Sequence, residues 1–110
     1  MSEFTKPERK TLRELASEAY EAEARSYLAE LEADFLRWRQ DEMSSSELLA
    51  SIHAFHQEQS RELWSRHQSL KEPEIVARGV VLGFVRAEKI PEQLRAKLKL
   101  LLEFFAQHHE

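Results

Sequence analysis

The sequence predicts an all-α protein of four helices, and two observations lead to this prediction. The segment from Glu8 to Glu42 contains neither Gly nor Pro, which favours one uninterrupted helix. The 110-residue chain has only 2 Gly and 3 Pro, too few for the regularly spaced turns of a many-stranded β fold. With 42% apolar and 33% charged residues, the composition is typical of a folded helical protein rather than a disordered one. We expect a single helical domain over residues 1–110.

The first predicted helix spans about residues 8–42. Thr5 is a suitable N-cap, and Glu8, three residues later, completes the capping-box pattern. At about 1.5 Å per residue this helix would be roughly 50 Å long, more than a small domain needs to cover its own core. We therefore expect the helix to project from the domain or to pair with another chain.

Apolar side chains recur along this helix in steps of three and four residues, which approximates an 11-residue repeat. Such a repeat stays nearly parallel to the axis of a straight helix and forms a continuous seam for a helical partner. Since two-fold symmetric dimers are the commonest soluble assemblies, we expect a homodimer that forms through this seam. The predicted interface consists of Ala16, Tyr20, Ala24, Tyr27, Leu31, Phe35 and Trp38.

A second helix is predicted over about residues 45–69. Ser44 and Glu47 repeat the capping-box pattern, and Met43 and Leu48 suit the hydrophobic staple that often accompanies it. The chain must therefore reverse direction shortly before Ser44, and the second helix can return along the first.

Two shorter helices are expected to complete a compact three-helix part. Residues 74–82 are apolar on nearly every side, and we favour a buried helix over a strand because the chain offers no second strand for pairing. Gly83 suits a left-handed C-cap. Pro91 opens a last helix over about 91–107.

The formal net charge is −4, and acids are concentrated in the first helix. Between Glu14 and Asp34 the only base is Arg25, so this part repels a phosphate backbone and makes nucleic-acid binding unfavourable. The simplest interpretation is a solvated helix surface, and the alternative is a docking face for a basic protein partner. The candidate acidic docking face is Glu14, Glu18, Glu21, Glu23, Glu30 and Asp34.

Two polar residues fall within the apolar stripe of the second helix. On a regular helix His56 and Gln59 lie among Leu49, Ile52 and Leu63, so both are predicted to be a buried polar pair. Buried polar groups in a helical seam often determine register and oligomeric state, so the pair is a candidate determinant of helix pairing. The alternative is an ordinary core histidine whose hydrogen bonds are satisfied locally.

Histidines also provide the main alternative to an interaction protein. His53, His56 and His67 are predicted to share one face of the second helix, which gives a weak candidate metal site. The Glu-x-x-His pairs of helical di-iron sites are absent, and so are phosphate-binding loops and catalytic motifs. We therefore expect no metal, no other cofactor and no enzymatic activity.

The sequence thus favours a non-enzymatic helical protein–protein interaction module, an adaptor or regulator that self-associates through its first helix. A small ligand- or metal-binding bundle is the first alternative. A nucleic-acid-associated regulator that uses the arginines around Trp38 and Trp64 is the second. The sequence starts without a Lys/Arg-led apolar leader and contains no long apolar run, so we expect a cytoplasmic protein.

Overall fold

The computed structural model describes residues 3–108, and every regular element in that part of the chain is helical, which confirms the all-α prediction. The elements are α1 (Lys6–Arg39), α2 (Ser45–Ala54), a π-helical turn (Phe55–Gln59), α3 (Ser60–Ser69), α4 (Glu72–Leu82), a 3₁₀ turn (Ala87–Lys89), α5 (Glu92–Lys97) and α6 (Lys99–Gln107).

Helix α1 is a single helix of 34 residues, as the sequence predicts, and both of its ends have a local cause. At the start, the Glu8 backbone N–H donates to the Thr5 hydroxyl, and the Thr5 N–H donates to the Glu8 carboxylate at 2.8 Å. A capping box of this kind stabilises a helix by about 1 kcal/mol. Helix α1 ends at Arg39, three residues earlier than predicted. The chain then turns through Asp41, which adopts a left-handed φ of 60°.

The second predicted helix exists, but it contains one irregular turn. Ser44 and Glu47 form the predicted capping box, with the Ser44 N–H 2.8 Å from the Glu47 carboxylate. Helices α2 and α3 are joined directly by the π-helical turn, and both pack against α1 after the chain reversal. We call this continuous piece the α2–α3 helix and its antiparallel pairing with α1 the hairpin.

Residues 74–82 are helical, as predicted, within α4. Gly83 has a φ of 86° and closes the helix in the left-handed conformation that glycine adopts without steric cost. Gly79 permits a close contact in the core, because a Cβ there would lie 2.9 Å from Val85 Cγ2 and 3.1 Å from Ala19 Cβ. Helix α4 can therefore approach α1 closely only because this position lacks a side chain.

The prediction of one continuous helix over 91–107 is wrong. The chain leaves the helical conformation at Leu98, with a φ of −93° and a ψ of 0°, so that α5 and α6 are separate. Leu94 and Leu98 are both fully buried. The Leu98 N–H still donates to the Leu94 carbonyl at 3.1 Å, and the Leu102 N–H donates to the Leu98 carbonyl at 2.9 Å, so the interruption is confined to one residue.

The main core lies at one end of an elongated molecule. It is formed by α1, α4, α5 and the segment between α4 and α5, and its buried residues are Leu12, Leu15, Ala16, Ala19, Ile75, Val76, Val85, Ile90, Leu94 and Leu98. The molecule measures 56 × 25 × 24 Å, and its radius of gyration is 17.2 Å, against about 13 Å for a compact chain of this length. At the other end only the α2–α3 helix packs against α1, with Leu48 and Leu63 buried between them.

We predict that Gly79→Leu destabilises the protein. The new side chain must displace Val85 and Ala19, and such overpacking costs about 1–3 kcal/mol, more than the roughly 1 kcal/mol gained in helix propensity. Urea unfolding should show this loss of stability as a lower midpoint for Gly79→Leu than for the wild type. Ala50→Leu, at an exposed position of α2, is the control and should leave the midpoint unchanged. Equal midpoints for the two variants would contradict the close contact.

Candidate functional site

A buried carboxylate lies where α1, α3 and α4 meet. Glu23 projects from α1 and is 1% exposed. Arg78 of α4 binds it with both guanidinium nitrogens, at 2.9 Å to one carboxylate oxygen and 3.0 Å to the other. This two-pronged geometry is the strongest form of arginine–carboxylate contact, and it fixes the rotation of α4 relative to α1.

Helix α3 supplies two further donors to the same carboxylate. Arg66 donates to Glu23 at 2.8 Å, and His67 Nε2 lies 3.1 Å from the other oxygen. Because an ionised carboxylate only accepts hydrogen bonds, His67 must donate through Nε2–H. Both residues lie in the last turn of α3, where positive charge is also favourable for the helix dipole. We call Glu23, Arg66, His67 and Arg78 the Glu23 cluster.

The ionised form of Glu23 is favoured in the folded protein. Burial alone would raise the pKa of Glu23, because the charged form loses its hydration. The hydrogen bonds from Arg78 and His67 and the positive charges of Arg78 and Arg66 outweigh that effect and hold the pKa below the ordinary glutamate value. Among residues 3–108, every buried side-chain nitrogen or oxygen has a hydrogen-bond partner.

The Glu23 cluster is arranged to hold three helices together. Both oxygens of Glu23 already accept bonds from the protein, which leaves this carboxylate little capacity to take a proton from a substrate or to bind a metal. Glu23 therefore does not belong to an acidic docking face, and that part of the prediction is wrong. One feature of the sequence could have indicated the Glu23 cluster. Arg78 is a charged residue inside the nearly all-apolar α4, and such a residue requires an acidic partner.

The other residues of the candidate acidic face do not share one side of α1. Successive residues are rotated by about 100°, which puts Glu14, Glu18 and Glu21 on one side of the helix and Glu30 and Asp34 on the opposite side. Glu18 binds Lys89 at 2.7 Å and Glu21 binds Arg25 at 3.3 Å. Asp34 points towards the α2–α3 helix, where it contacts Ser51 and also Arg37 of its own helix. Glu14 and Glu30 are exposed, and a role for them in binding a basic protein stays a prediction.

Apolar side chains of α1 and of the α2–α3 helix meet along one side of the hairpin, and some of them stay exposed. Across the hairpin the Trp38 indole N–H donates to Ser45 at one end, and Tyr20 and Trp64 line one groove of about 400 Å³ at the other. We call this side the hairpin face. Its α1 half is Tyr20, Ala24, Tyr27, Leu31, Phe35 and Trp38, and its α2–α3 half is Ser45, Leu49, Ile52, His56, Ser60 and Trp64.

The α1 half of the hairpin face contains six of the seven predicted interface residues. Tyr20, Phe35 and Trp38 are exposed, and Ala24, Tyr27 and Leu31 are half-buried. The seventh, Ala16, is buried in the chain's own core and cannot contact a second copy. The predicted interface is therefore shortened at the N-terminal end of α1, because α4 and α5 cover α1 there.

The prediction that His56 and Gln59 form a buried polar pair is wrong. His56 is exposed and Gln59 is half-buried. The physical reason for His56 lies in α2 itself: Leu49, two turns earlier on the same side, is 67% exposed, whereas Leu48 is buried, so the side that His56 shares with Leu49 is not the buried one. Gln59 is the last residue of the π-helical turn, whose wider spacing separates it from the regular pattern of α2.

The three histidines of the weak metal site lie in different surroundings. His53 and His56 are exposed, whereas His67 binds Glu23 and packs edge-on against the Tyr20 ring at 5.0 Å. In the part of the chain that the structure describes, no group of three or more His, Cys, Asp or Glu residues is placed to hold a metal ion.

The arginines proposed for nucleic-acid binding are divided between other contacts. Arg66 belongs to the Glu23 cluster, and Arg37 pairs with Asp34. Arg39 lies over the Trp38 ring at 5.9 Å, and Arg61 lines the groove beside Trp64.

Comparison of the chain with protein-family models, with curated proteins and with solved structures found no match. Within residues 3–108, no helix combines the length and the apolar character that crossing a membrane requires.

We predict that Glu23→Gln lowers the free energy of unfolding by about 3 kcal/mol. The substitution keeps the shape of the side chain but leaves two partly buried arginines without their counter-charge. Glu21→Gln is the matched control, because Glu21 pairs with Arg25 on the surface, where an ion pair contributes almost nothing. Urea unfolding at pH 7 measures both, and a loss below about 1 kcal/mol for Glu23→Gln would contradict a structural role.

We also predict that the stabilising effect of Glu23 is lost in acid. The pKa of Glu23 is lowered on folding from an unfolded value of about 4.3, so its contribution is fully present above that pH and disappears as pH falls through the lower folded value. The difference in unfolding free energy between the wild type and Glu23→Gln should be constant from pH 7 to about 5 and shrink below about 4. A difference that grew in acid would show the opposite sign of the pKa shift.

Proposed function

We propose that this chain is a non-enzymatic helical interaction module, an adaptor or regulator that self-associates through α1. The observation that carries the proposal is the α1 half of the hairpin face. From Tyr20 to Trp38, all six positions on that side of the helix are uncharged, although 33% of the residues in the chain are charged.

The residue types on this side of α1 support binding rather than solvation. Tyrosine and tryptophan are enriched in interface cores, and charged residues are depleted there. Tyr20 is 41% exposed and Phe35 is 39% exposed in the single chain, so both have surface to bury against a partner.

The elongated shape gives further support. Packing within one copy leaves the C-terminal half of α1 in contact with only one neighbouring helix, and its large side chains Leu28, Phe35, Leu36 and Trp38 remain exposed. A second copy provides a covering surface of the same length, and two-fold pairing is the usual way in which soluble proteins cover such a side.

We predict a dimer by light scattering at tens of micromolar, and we predict that Phe35→Glu shifts the equilibrium strongly towards monomer. A buried charge in an interface core costs at least about 2 kcal/mol, which raises the dissociation constant about 30-fold. Leu100→Glu is the control: Leu100 is 79% exposed on α6, away from the hairpin, and the dimer should persist. A wild-type chain that is strictly monomeric would refute the proposed self-association.

A further inference from the structure

We propose that the π-helical turn over Phe55–Gln59 adds one residue to the α2–α3 helix and thereby sets the register of α3 against α1. The extra residue rotates α3 so that its last turn meets Glu23, while α2 keeps its own contacts with α1. Single π-helical turns inside α-helices are frequently found at functional sites. The inference concerns the folded single chain and does not depend on self-association.

The backbone hydrogen bonds show where the extra residue lies. In a regular α-helix each N–H donates to the carbonyl four residues earlier, but the Ser60 N–H donates to the Phe55 carbonyl, five residues earlier. The helix is continuous on both sides, because α2 ends at Ala54 and α3 begins at Ser60. Residues 44–71 contain neither Gly nor Pro, so the usual local causes of an irregular helix are absent. The reason for the turn therefore lies in what the two halves of the helix contact.

Both halves of the α2–α3 helix are attached to α1. Before the turn, Leu48 is buried and the Ser51 hydroxyl donates to a carboxylate of α1. After the turn, Leu63 is buried and Arg66 donates to Glu23 at 2.8 Å. Each apolar or polar contact before the turn thus has a counterpart after it, and both pairs, Leu48 with Leu63 and Ser51 with Arg66, are fifteen residues apart.

A spacing of fifteen residues does not keep one side of a regular helix towards a partner. Four turns of a straight helix contain about 14.4 residues, and four turns of a helix that follows its partner contain about 14. Fifteen residues therefore rotate the later side chains by roughly 60–100° about the helix axis. On a regular helix, Arg66 and His67 would turn away from Glu23 if the contacts of α2 were kept. One π-helical turn accommodates the extra residue and compensates this rotation.

Deletion of Gln57 tests the proposal. Gln57 lies in the middle of the turn and its side chain is exposed, so the deletion removes no buried side chain. The shortened helix can be regular throughout, but α3 is then rotated by about 100° and leaves Glu23. We expect the urea midpoint to fall by at least about 1 M, because the buried carboxylate loses two of its partners.

A second substitution shows whether this loss comes from the register. Arg66→Met removes the charge that meets Glu23 and keeps the apolar part of the side chain. In the full chain it should lower the urea midpoint by roughly 0.5 M. In the chain without Gln57 it should have less than about half of that effect, because Arg66 no longer contacts Glu23.

Two variants of equal length separate register from the loss of a residue. Both lack Gln57, and one carries an additional alanine between Arg61 and Glu62, which restores the fifteen-residue spacing between the contacts with α1. The other carries the alanine at the C-terminal end of the chain, which restores the length alone. We expect the first variant to recover most of the lost midpoint together with the effect of Arg66→Met, and the second to behave like the deletion.

Urea unfolding followed by circular dichroism, at one protein concentration, measures all of these chains. If the deletion of Gln57 leaves the midpoint unchanged and Arg66→Met lowers it as in the full chain, the extra residue does not set the register and the inference fails. If the deletion prevents folding, the variants of equal length decide. Recovery by the alanine within the helix alone supports the proposal, and equal behaviour of the two variants contradicts it.

Discussion

The ionic contact around Glu23 is the constraint on which the arrangement of the molecule depends. Glu23 lies more than forty residues from its partners, and the cluster connects α1 to both α3 and α4. Without it, the hairpin at one end and the core at the other would be joined by α1 and by the short connection from α3 to α4, where Leu70 packs against the core. A buried ion pair contributes little net stability compared with apolar packing, but it tolerates only one geometry. Its main effect here is on the orientation of the helices.

The two ends of α1 are covered in different ways. The first half lies in a core formed by α4, α5 and the segment between them, where Gly79 allows the backbones to approach closely. The second half has only the α2–α3 helix beside it, and few side chains are buried there. One helix therefore serves as a structural element of a small core and as one half of an exposed surface. This division explains why α1 is longer than the core that it helps to form.

Local signals in the sequence predicted most of the helices. The capping boxes at Thr5 and Ser44 and the left-handed Gly83 each depend on a few neighbouring residues. Features without a local signal were not predicted. The interruption at Leu98 falls within 92–107, where no Gly or Pro marks it.

The candidate site shows the same limit. Glu23 follows Ala16 and Ala19 on the core side of α1, but in the sequence it is one of many acids, and its partners lie more than forty residues away. The apolar seam of α1 could be predicted from the sequence because its residues repeat along a single regular helix. On the neighbouring helix, the sequence pattern predicts that Leu49 is a core residue, but it is exposed, and His56 on the same side therefore lies on the surface as well.

Both tryptophans of the chain lie on the hairpin face, and neither is in the core. The intrinsic fluorescence of the protein therefore comes from its surface. Its emission maximum and its quenching by iodide will respond to whatever covers that surface, and will respond much less to the packing around Leu94 and Val76. For this molecule, tryptophan fluorescence therefore reports the surroundings of the hairpin rather than the packing of the core.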